Sequence, residues 1–387
     1  MESKAKLIRI TTVPISLKTL LKGQHRFMSD YFEVIGISSS GKELDDVQKN
    51  EGIRTIPLQM TRTISPFKDI KSLYSLYKVL KNEKPLIVHS HTPKAGIIGM
   101  LAAKLAGVPH RLHTVAGLPL MEAKGNKRKL LNFVEKLTYS CATKVYPNSK
   151  GLNDFILKNN FAQKEKLLVI ANGSSNGIDT NYFNPSLFSF VDKESLRTKL
   201  GISEKEFVLV FVGRLVGDKG INELIESFSN LTAKYDMIKL LLVGSLETDL
   251  DPLLPETLQS IKANKNIISV GFQNDVRPYF SISNVLIFPS YREGFPNVVM
   301  QAGAMGLPSI VTNINGCNEI IEEGENGLLI PVKDSNAIEL AIKKILTDDG
   351  LRSKMEKNAR SIIVSRYEQQ IMWESILREY NSLKQNV

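Results

Sequence analysis

Two short segments carry residue types suited to binding a diphosphate. The first, Phe211–Gly220 (FVGRLVGDKG), follows an apolar run and precedes a helix-like stretch. Gly213 and Gly217 allow a tight backbone turn, and Arg214 and Lys219 place two cations beside a helix N-terminus, which itself attracts anions. The spacing predicts a diphosphate site. A strand-to-helix turn with solvated charges is the alternative, because short glycine-containing motifs arise often by chance.

The second segment, Phe288–Asn313, supplies a carboxylate. An apolar run ends at Pro289, Glu293 follows, and the turn at 294–296 leads into a helix predicted to start near Asn297. The free N–H groups of that helix start could hold an anion. Because a carboxylate does not favour phosphate binding, we expect Glu293 to accept hydrogen bonds from sugar hydroxyls.

Both segments belong to a pattern of strands alternating with helices. In the first half, the predicted strands are Leu7–Val13, Glu33–Ile37, Ile53–Leu58, Leu86–His89, Arg111–Val115, Lys144–Tyr146 and Leu167–Ile170. In the second half, they are Val208–Val212, Ile238–Val243, Ile267–Val270, Val285–Phe288, Ser309–Thr312 and Leu328–Ile330. This alternation predicts an α/β protein with two Rossmann-like, doubly wound parallel sheets.

Ligands of doubly wound sheets bind beyond the carboxyl ends of the strands. We therefore expect two domains facing across a cleft that contains the site. The turn-rich stretch Asn172–Pro185 is the candidate connection, and the tail from Asn336 onward is helical and amphipathic.

The net charge of +10 is concentrated in the first half of the chain. Residues 1–190 contain 28 Lys and Arg against 14 Asp and Glu, whereas residues 191–387 have a net charge of −4. A basic half is typical of proteins that bind nucleic acid, an anionic membrane surface or a small diphosphate, although Lys-rich composition can also serve solubility alone. No helix-turn-helix, RNA-stacking or zinc-finger motif is present, so we expect no nucleic-acid partner.

The order of several long motifs resembles one enzyme family. GRLVGDKG, EGFPNVVM and NGCNEIIEEGENGLLIP resemble retaining nucleotide-sugar glycosyltransferases of the GT-B type (glycosyl transferases group 1, family 4), and most of all the CapM-like group of bacterial capsule and lipopolysaccharide enzymes. Segments of the first half agree: Ile10–Gln24, His89–Pro109, His113–Leu120 and Asn172–Pro185. The resemblance runs nearly end to end.

The resemblance implies a role for each matching residue. Arg214 and Lys219 would hold the donor diphosphate and stabilise the departing nucleotide, and Glu293 would contact the donor sugar. The other donor-binding positions are Gly213, Gly271, Phe272, Phe295, Pro296, Asn297, Val298 and Gln301. The acceptor-side candidates are Lys22, His91, Lys94 and Gly117.

Two positions depart from the family pattern. Gln301 replaces the second acid of Glu-x7-Glu, where an amide can still contact a ribose. Ala116 stands where many relatives have a histidine that touches the donor sugar. His113 lies three residues earlier in the strand and points to the other face, so it does not replace that histidine.

The resemblance also implies a separate role for each domain. Residues 1–187 would bind the acceptor, residues 188–368 the nucleotide-sugar donor, and residues 369–387 would form a helix packing back on the first domain. The expected reaction moves a sugar from a UDP-sugar to a polyprenyl-diphosphate-linked saccharide, in capsule or O-antigen biosynthesis. A UDP-sugar epimerase on the same double-Rossmann architecture is the alternative.

No cofactor or metal is expected. His89 and His91 could share one face of a strand, but no Asp, Glu or Cys accompanies them. Asp249 and Asp251 fit turn-forming carboxylates of a Pro-rich loop better than a metal site. Two cysteines, far apart in sequence, fit buried residues in a reducing compartment.

Two basic, apolar segments favour a membrane surface. Gly125–Tyr139 begins with three cations and continues with an apolar stripe, although a core helix with a solvated face explains it equally well. In Thr61–Leu80, Arg62, Lys68, Lys71 and Lys78 alternate with Ile64, Phe67, Tyr74 and Tyr77. With no leader or spanning segment, we expect a cytoplasmic protein associated peripherally with the inner face of the cell membrane.

Overall fold

The chain forms two compact units. The computed structural model describes residues 4–61, 63, 65–121, 123–249 and 251–384. The first unit extends through Gly177 and resumes at Gln369, and the second is Ile178–Glu368. The division falls before residue 187, the boundary expected from the sequence, because the Ile178 N–H donates to the Tyr367 carbonyl (2.8 Å) and so ties this segment to the second unit.

The first unit contains a six-stranded parallel sheet. Its strands are β1 (Lys6–Ile10), β2 (Glu33–Ser38), β3 (Arg54–Pro57), β4 (Ile87–Ser90), β5 (His110–Val115) and β6 (Lys144–Pro147), in the order β3-β2-β1-β4-β5-β6. Its first seven helices are α1 (Pro14–Leu20), α2 (Gln24–Ser29), α3 (Lys42–Glu51), α4 (Pro66–Glu83), α5 (Pro93–Ala106), α6 (Gly125–Cys141) and α7 (Lys150–Lys158). These elements confirm six of the seven strands predicted for this half.

The seventh predicted strand, Leu167–Ile170, is wrong. Leu167 makes only an isolated bridge to Val145. The preceding residues, Lys164–Lys166, form a single 3-10 turn, so the chain reaches the sheet edge for one residue and leaves it again. An apolar run alone does not distinguish a paired strand from a packed loop.

The second unit repeats the same architecture, and all six predicted strands are confirmed. The strands are β7 (Phe207–Val212), β8 (Ile238–Val243), β9 (Ile267–Gly271), β10 (Val285–Phe288), β11 (Ser309–Thr312) and β12 (Gly327–Ile330), in the order β12-β11-β10-β7-β8-β9. Its helices are α8 (Phe190–Lys199), α9 (Ile221–Thr232), α10 (Pro255–Ala263), α11 (Arg277–Ser281), α12 (Asn297–Ala304), α13 (Cys317–Ile320), α14 (Ser335–Thr347) and α15 (Asp349–Tyr367).

The central strands of the second unit, β7, β8 and β10, are almost entirely apolar because both faces of the sheet are covered there. All six residues of β8 (IKLLLV) are buried, and so are the four residues of β10 (VLIF). Strands buried on both sides read as continuous apolar runs rather than as alternating patterns. Burial of these strands forms the core of the second unit and holds the loops at their carboxyl ends in place.

Counted from the first strand of each unit, both sheets have the strand order 3-2-1-4-5-6, which is that of dinucleotide-binding folds. In such sheets all strands run in the same direction, but the strand order reverses between the first and fourth strands. The loops that follow those two strands therefore diverge and leave a ligand crevice. In the second unit these strands are β7 and β10, which pair directly. Phe211–Gly220 and the Glu293 segment follow them, so the fold brings both predicted motifs to one crevice.

The last helix, α16 (Gln369–Lys384), belongs to the first unit. The Tyr380 hydroxyl, fully buried, lies 2.6 Å from His89 Nδ1 and accepts a hydrogen bond from Arg9 Nη2 (3.2 Å). Trp373 Nε1 donates to Asn176 Oδ1 (2.7 Å). These contacts join α16 to strands β1 and β4 and to the end of the first unit's main segment.

Candidate active site

The loops after β7 and β10 meet closely. Gly220 has φ of 70°, and a Cβ at that position would lie 2.2 Å from the Pro289 carbonyl oxygen, so only glycine permits the approach. The Tyr291 N–H donates to the Asp218 carbonyl (2.9 Å), which joins the two loops again. Lys219 lies between these contacts and is therefore held at the end of β10.

Lys219 and Glu293 form the centre of the site. Lys219 Nζ lies 2.5 Å from Glu293 Oε1, and each side chain is 17% exposed. The Ser290 hydroxyl lies 2.9 Å from the same carboxylate oxygen, and the Lys219 ammonium lies 5.7 Å from the Phe288 ring centroid. The pair is thus partly desolvated but accessible to a ligand, and its charges are screened less than those of a surface pair.

Arg214 has a different acidic partner. Its Nη1 lies 2.9 Å from Glu247 Oε2, and its side chain is 49% exposed. Glu247 comes from the loop after β8, the strand beside β7. Each of the two predicted diphosphate-binding cations therefore has a carboxylate partner in this structure.

The segment after Glu293 leads into a helix as predicted. Phe295 is buried against the Tyr367 ring (5.5 Å between centroids), and Pro296 is the N-cap residue of α12. Asn297 is exposed at the first position of that helix, and Val298 is half-buried. Phe295 and Pro296 thus anchor the loop, and they leave the start of α12 facing solvent.

The remaining donor-side candidates are spread along the same carboxyl edge. Gly213 follows β7, and Gly271 ends β9 with φ of 68°. Phe272, directly after it, is 71% exposed, so its ring is available for stacking. Gln301 is half-buried one turn into α12.

Sequence reasoning missed three residues that hold this site. Asp251 accepts a hydrogen bond from the Asp218 N–H (2.5 Å) and so fixes the loop that carries Lys219. The Ser290 hydroxyl donates a hydrogen bond to the Glu293 carboxylate. The Asn315 side-chain amide donates a hydrogen bond to the Glu293 carbonyl (3.1 Å). The position of Asn315 in the loop after β11 was the available signal.

On the acceptor side, the structure places the candidates in different environments. Lys94 Nζ lies 2.5 Å from Asp69 Oδ2 and also donates to the Thr63 carbonyl (3.1 Å). The Lys22 carbonyl accepts a hydrogen bond from Asn176 Nδ2 (3.0 Å). Gly117 has open space where a Cβ would be. Among these residues, His91 is the one that is buried.

His89 and His91 are buried residues of the first unit. The His89 and His91 rings lie 4.1 Å apart, and burial together with the nearby Arg9 guanidinium lowers the pKa of both well below the usual value. The two ring nitrogens of His89 contact Tyr380 and Thr114, which leaves none for a metal. No group of three or more His, Cys, Asp or Glu that could hold a metal ion occurs in the described part of the chain.

His113 is also internal. Its Nδ1 lies 2.8 Å from the Ser90 hydroxyl, and a Cβ on Gly96 would lie 2.5 Å from its ring. Burial lowers the pKa of His113 to about 4. The ring is therefore packed beneath α5 and is not placed to substitute for a histidine at Ala116.

The basic, apolar segments are helices with exposed faces. On α4, Phe67 is 90% exposed, and Ile70 and Tyr74 are exposed one and two turns further along. On α6, Phe133 is 63% exposed and Leu130 is exposed beside it. Both helices pack against α5. Arg62 and Ile64, which the sequence analysis included in this surface, lie outside the described residues.

The remainder of the α6 stripe packs inwards. Leu131 and Leu137 lie against the core of the first unit. The apolar stripe predicted for this segment is thus divided between a core-facing side and an exposed pair. Across the described ranges, no helix has the length and apolarity needed to span a membrane.

Comparison with known proteins identifies the family. The model "Glycosyl transferases group 1" matches residues 192–362, and the model "Glycosyl transferase 4-like" matches residues 18–149. The capsular polysaccharide biosynthesis glycosyltransferase CapM of Staphylococcus aureus is 36% identical over 379 residues, covering 97% of each chain. An Escherichia coli UDP-Gal:alpha-D-GlcNAc-diphosphoundecaprenol alpha-1,3-galactosyltransferase is 32% identical over 376 residues, which cover 92% of this chain and 93% of that protein.

Solved structures agree on the fold. The crystal structure of Anabaena HepE in complex with UDP has a TM-score of 0.82 at 18% identity and covers 98% of this chain and 100% of that one. A glycosyltransferase from Rickettsia africae has a TM-score of 0.80 at 21% identity, and the match covers 99% of this chain and 100% of that one. The two doubly wound units are those of a GT-B glycosyltransferase. The chain belongs to the glycosyl transferase group 1 family, and the resemblance to CapM-like enzymes is confirmed.

Proposed function

We propose that this glycosyltransferase transfers a sugar from a UDP-sugar to a saccharide on a polyprenyl diphosphate, with retention of anomeric configuration, as a step of capsule or O-antigen precursor synthesis. The names of the E. coli relative and of a Campylobacter jejuni diphospho-undecaprenol N-acetylgalactosaminyltransferase, 29% identical, support this donor and acceptor chemistry. The observation that carries the proposal is the Lys219–Glu293 pair at the end of β10.

The donor diphosphate would take the place of the two carboxylates now paired with Arg214 and Lys219. Each cation would exchange Glu247 or Glu293 for an oxygen of the diphosphate, whose two phosphate groups each carry a negative charge. Glu293, released from Lys219, would then accept hydrogen bonds from hydroxyl groups of the donor sugar. The start of α12 at Asn297 would add its N–H groups and dipole to the diphosphate contacts.

The reaction would be a front-face displacement. The bond between the anomeric carbon and the diphosphate oxygen breaks, and the acceptor hydroxyl oxygen bonds to the anomeric carbon on the same face. The hydroxyl proton passes to an oxygen of the departing diphosphate, so UDP and the lengthened glycan are the products. Arg214 and Lys219 would stabilise the charge that grows on the diphosphate, and we propose that no metal is needed for this task.

The test is a panel of UDP-glucose, UDP-galactose and their N-acetyl derivatives, each incubated with an undecaprenyl-diphosphate-linked N-acetylhexosamine. We expect one donor to give a product with the donor's anomeric configuration by NMR, with the rate unchanged by EDTA. Inversion, or loss of rate with EDTA, would contradict the mechanism. Incubation without acceptor tests the epimerase alternative, which predicts a new UDP-sugar from donor alone; the family assignment favours the transferase.

We also propose that the first unit binds an anionic membrane surface. Phe67, Ile70 and Tyr74 share one exposed face of α4 with Lys71 and Lys78, at the spacings i, i+3, i+4, i+7 and i+11. Apolar rings beside cations are typical of helices that lie in the lipid headgroup region. This surface would bring the enzyme to a lipid-linked acceptor at the inner face of the cytoplasmic membrane.

A further inference from the structure

We infer that Asn315 is a positioning residue that directs the Glu293 carboxylate; this inference rests on the proposed function. Asn315 lies three residues after the end of β11, in the turn that precedes α13. Its side-chain Nδ2 donates to the Glu293 carbonyl (3.1 Å) and to the Gly294 carbonyl (2.7 Å). One amide group therefore holds both peptide units that follow the Glu293 side chain.

The orientation of this amide is determined by its surroundings. Two carbonyl oxygens can only accept hydrogen bonds, so they must face the NH2 end of Asn315 rather than its oxygen. Gly316 reinforces the contact from the other side of the turn. It has φ of 77°, and a Cβ there would lie 2.5 Å from the Gly294 carbonyl oxygen and 2.9 Å from Phe295 Cα. The two turns are therefore packed backbone to backbone.

These contacts restrict the Glu293 side chain because they fix the backbone from which it extends. On the other side, the Glu293 carboxylate meets Lys219 Nζ at 2.5 Å and the Ser290 hydroxyl at 2.9 Å. When a donor diphosphate binds Lys219, the ion pair between Lys219 and Glu293 is lost. The Ser290 hydroxyl and the backbone contacts with Asn315 then remain to hold Glu293. Asn315 thus holds the carboxylate in place at the stage when it must receive a sugar hydroxyl.

The substitution Asn315→Asp tests this role. The aspartate has nearly the same shape, but it presents oxygen, often charged, to two carbonyl oxygens and donates no hydrogen bond when ionised. We expect kcat/KM for the UDP-sugar active in the panel to fall about 10- to 100-fold. UDP lacks the sugar that Glu293 would contact, so its dissociation constant, measured by calorimetry, should change less than about threefold.

Asn313→Asp is the matched control. Asn313 is exposed in the same loop, and its Oδ1 accepts a hydrogen bond from Asn318 Nδ2 (2.9 Å), an interaction that an aspartate oxygen preserves. It adds the same charge two residues away, so it measures the purely electrostatic effect of the new carboxylate. We expect a change of less than twofold in kcat/KM.

A double-mutant cycle separates positioning from a general structural effect. If Asn315 acts through the Glu293 carboxylate, then Asn315→Asp should change the residual rate of Glu293→Gln less than about twofold, because the group that it positions is already neutral. An equal fold-loss in both backgrounds, or wild-type activity of Asn315→Asp, overturns the inference. Full activity of Glu293→Gln would instead overturn the proposed role of Glu293, so the two failures are distinguishable.

Discussion

Lys219 Nζ lies 2.5 Å from Glu293 Oε1, so the cation predicted to hold the donor diphosphate and the acid predicted to hold the donor sugar are direct partners. They come from loops 74 residues apart in sequence. The fold brings them together because β7 and β10 are neighbours at the point where the strand order reverses. In the absence of donor, the acid neutralises the cation and keeps both side chains in place.

Loss of the Lys219 or the Glu293 side chain should abolish most of the sugar-transfer activity without unfolding the protein. A preorganised group that stabilises developing charge contributes about 3 kcal/mol, or roughly two orders of magnitude in rate. We therefore expect Lys219→Ala and Glu293→Ala each to lower kcat at least about 100-fold, measured as sugar transfer to the lipid-linked acceptor. Circular dichroism and the thermal midpoint should stay near wild type; near-wild-type turnover in either variant would refute the site assignment.

Glu247→Gln should strengthen UDP binding. The substitution removes the carboxylate that competes with phosphate for Arg214, while it keeps the size of the side chain. Exposed ion pairs contribute up to about 1 kcal/mol, which corresponds to an increase in affinity of up to about fivefold by calorimetry at low salt. Glu256→Gln, at an exposed position of α10, is the control and should have no effect. Weaker binding in Glu247→Gln would show that Glu247 supports the site instead.

The first unit should lose stability as the pH falls below neutrality. Burial and the nearby Arg9 guanidinium lower the pKa of His25 to about 3, and burial lowers the pKa of His113 to about 4. Burial also holds the pKa of His89 and of His91 well below the usual value. The unfolded chain binds a proton at each histidine near pH 6.5, whereas the folded chain does not. Their contribution is therefore complete above about pH 6.5 and decreases towards each folded pKa.

Each of these histidines reduces the free energy of unfolding by about 1.4 kcal/mol for every pH unit below about 6.5, once its unfolded form is protonated. Urea denaturation at pH 7.5 and pH 5.0 measures the effect through the midpoint. We expect a marked fall at pH 5.0. A midpoint that does not change between these pH values would contradict the neutral, buried state of the histidines.

Tyr380→Phe should destabilise the attachment of α16. The change removes a fully buried hydroxyl oxygen that contacts His89 Nδ1 and accepts a hydrogen bond from Arg9 Nη2. Leaving buried polar groups unpaired costs about 1–3 kcal/mol in unfolding free energy. Tyr31→Phe, at an exposed ring, should leave stability unchanged. Equal stability of the two variants would show that the Tyr380 hydroxyl contributes nothing.

Phe67→Ser combined with Phe133→Ser should weaken binding to anionic vesicles. Inserting each ring into lipid is worth about 2 kcal/mol, so we expect at least about a tenfold loss of affinity in sedimentation with phosphatidylglycerol vesicles. Leu340→Ser, at an exposed apolar side chain of the second unit, is the control. Binding of the wild type should weaken with added salt; indifference to anionic lipid would contradict membrane association.

Most of the fold could be predicted from the sequence because central parallel strands are buried on both faces. Twelve strands were correctly placed, and the clearest of them, such as β8 and β10, are apolar runs buried along their whole length. Leu167–Ile170 has the same local pattern but makes only one bridge. Local composition records burial, whereas pairing requires a neighbouring strand in register, which depends on distant segments.

Motif order and the residue types after each strand were enough, without any structure, to select Arg214, Lys219 and Glu293 and to predict the family. Only the tertiary structure decided that Glu293 pairs with Lys219, that Glu247 pairs with Arg214, and that Asn315 holds the backbone carbonyls of Glu293 and Gly294. The physical reason is that a hydrogen bond or ion pair depends on ångström-scale separations between loops from different strands. Those separations are set by strand order and backbone packing, which no local stretch of sequence contains.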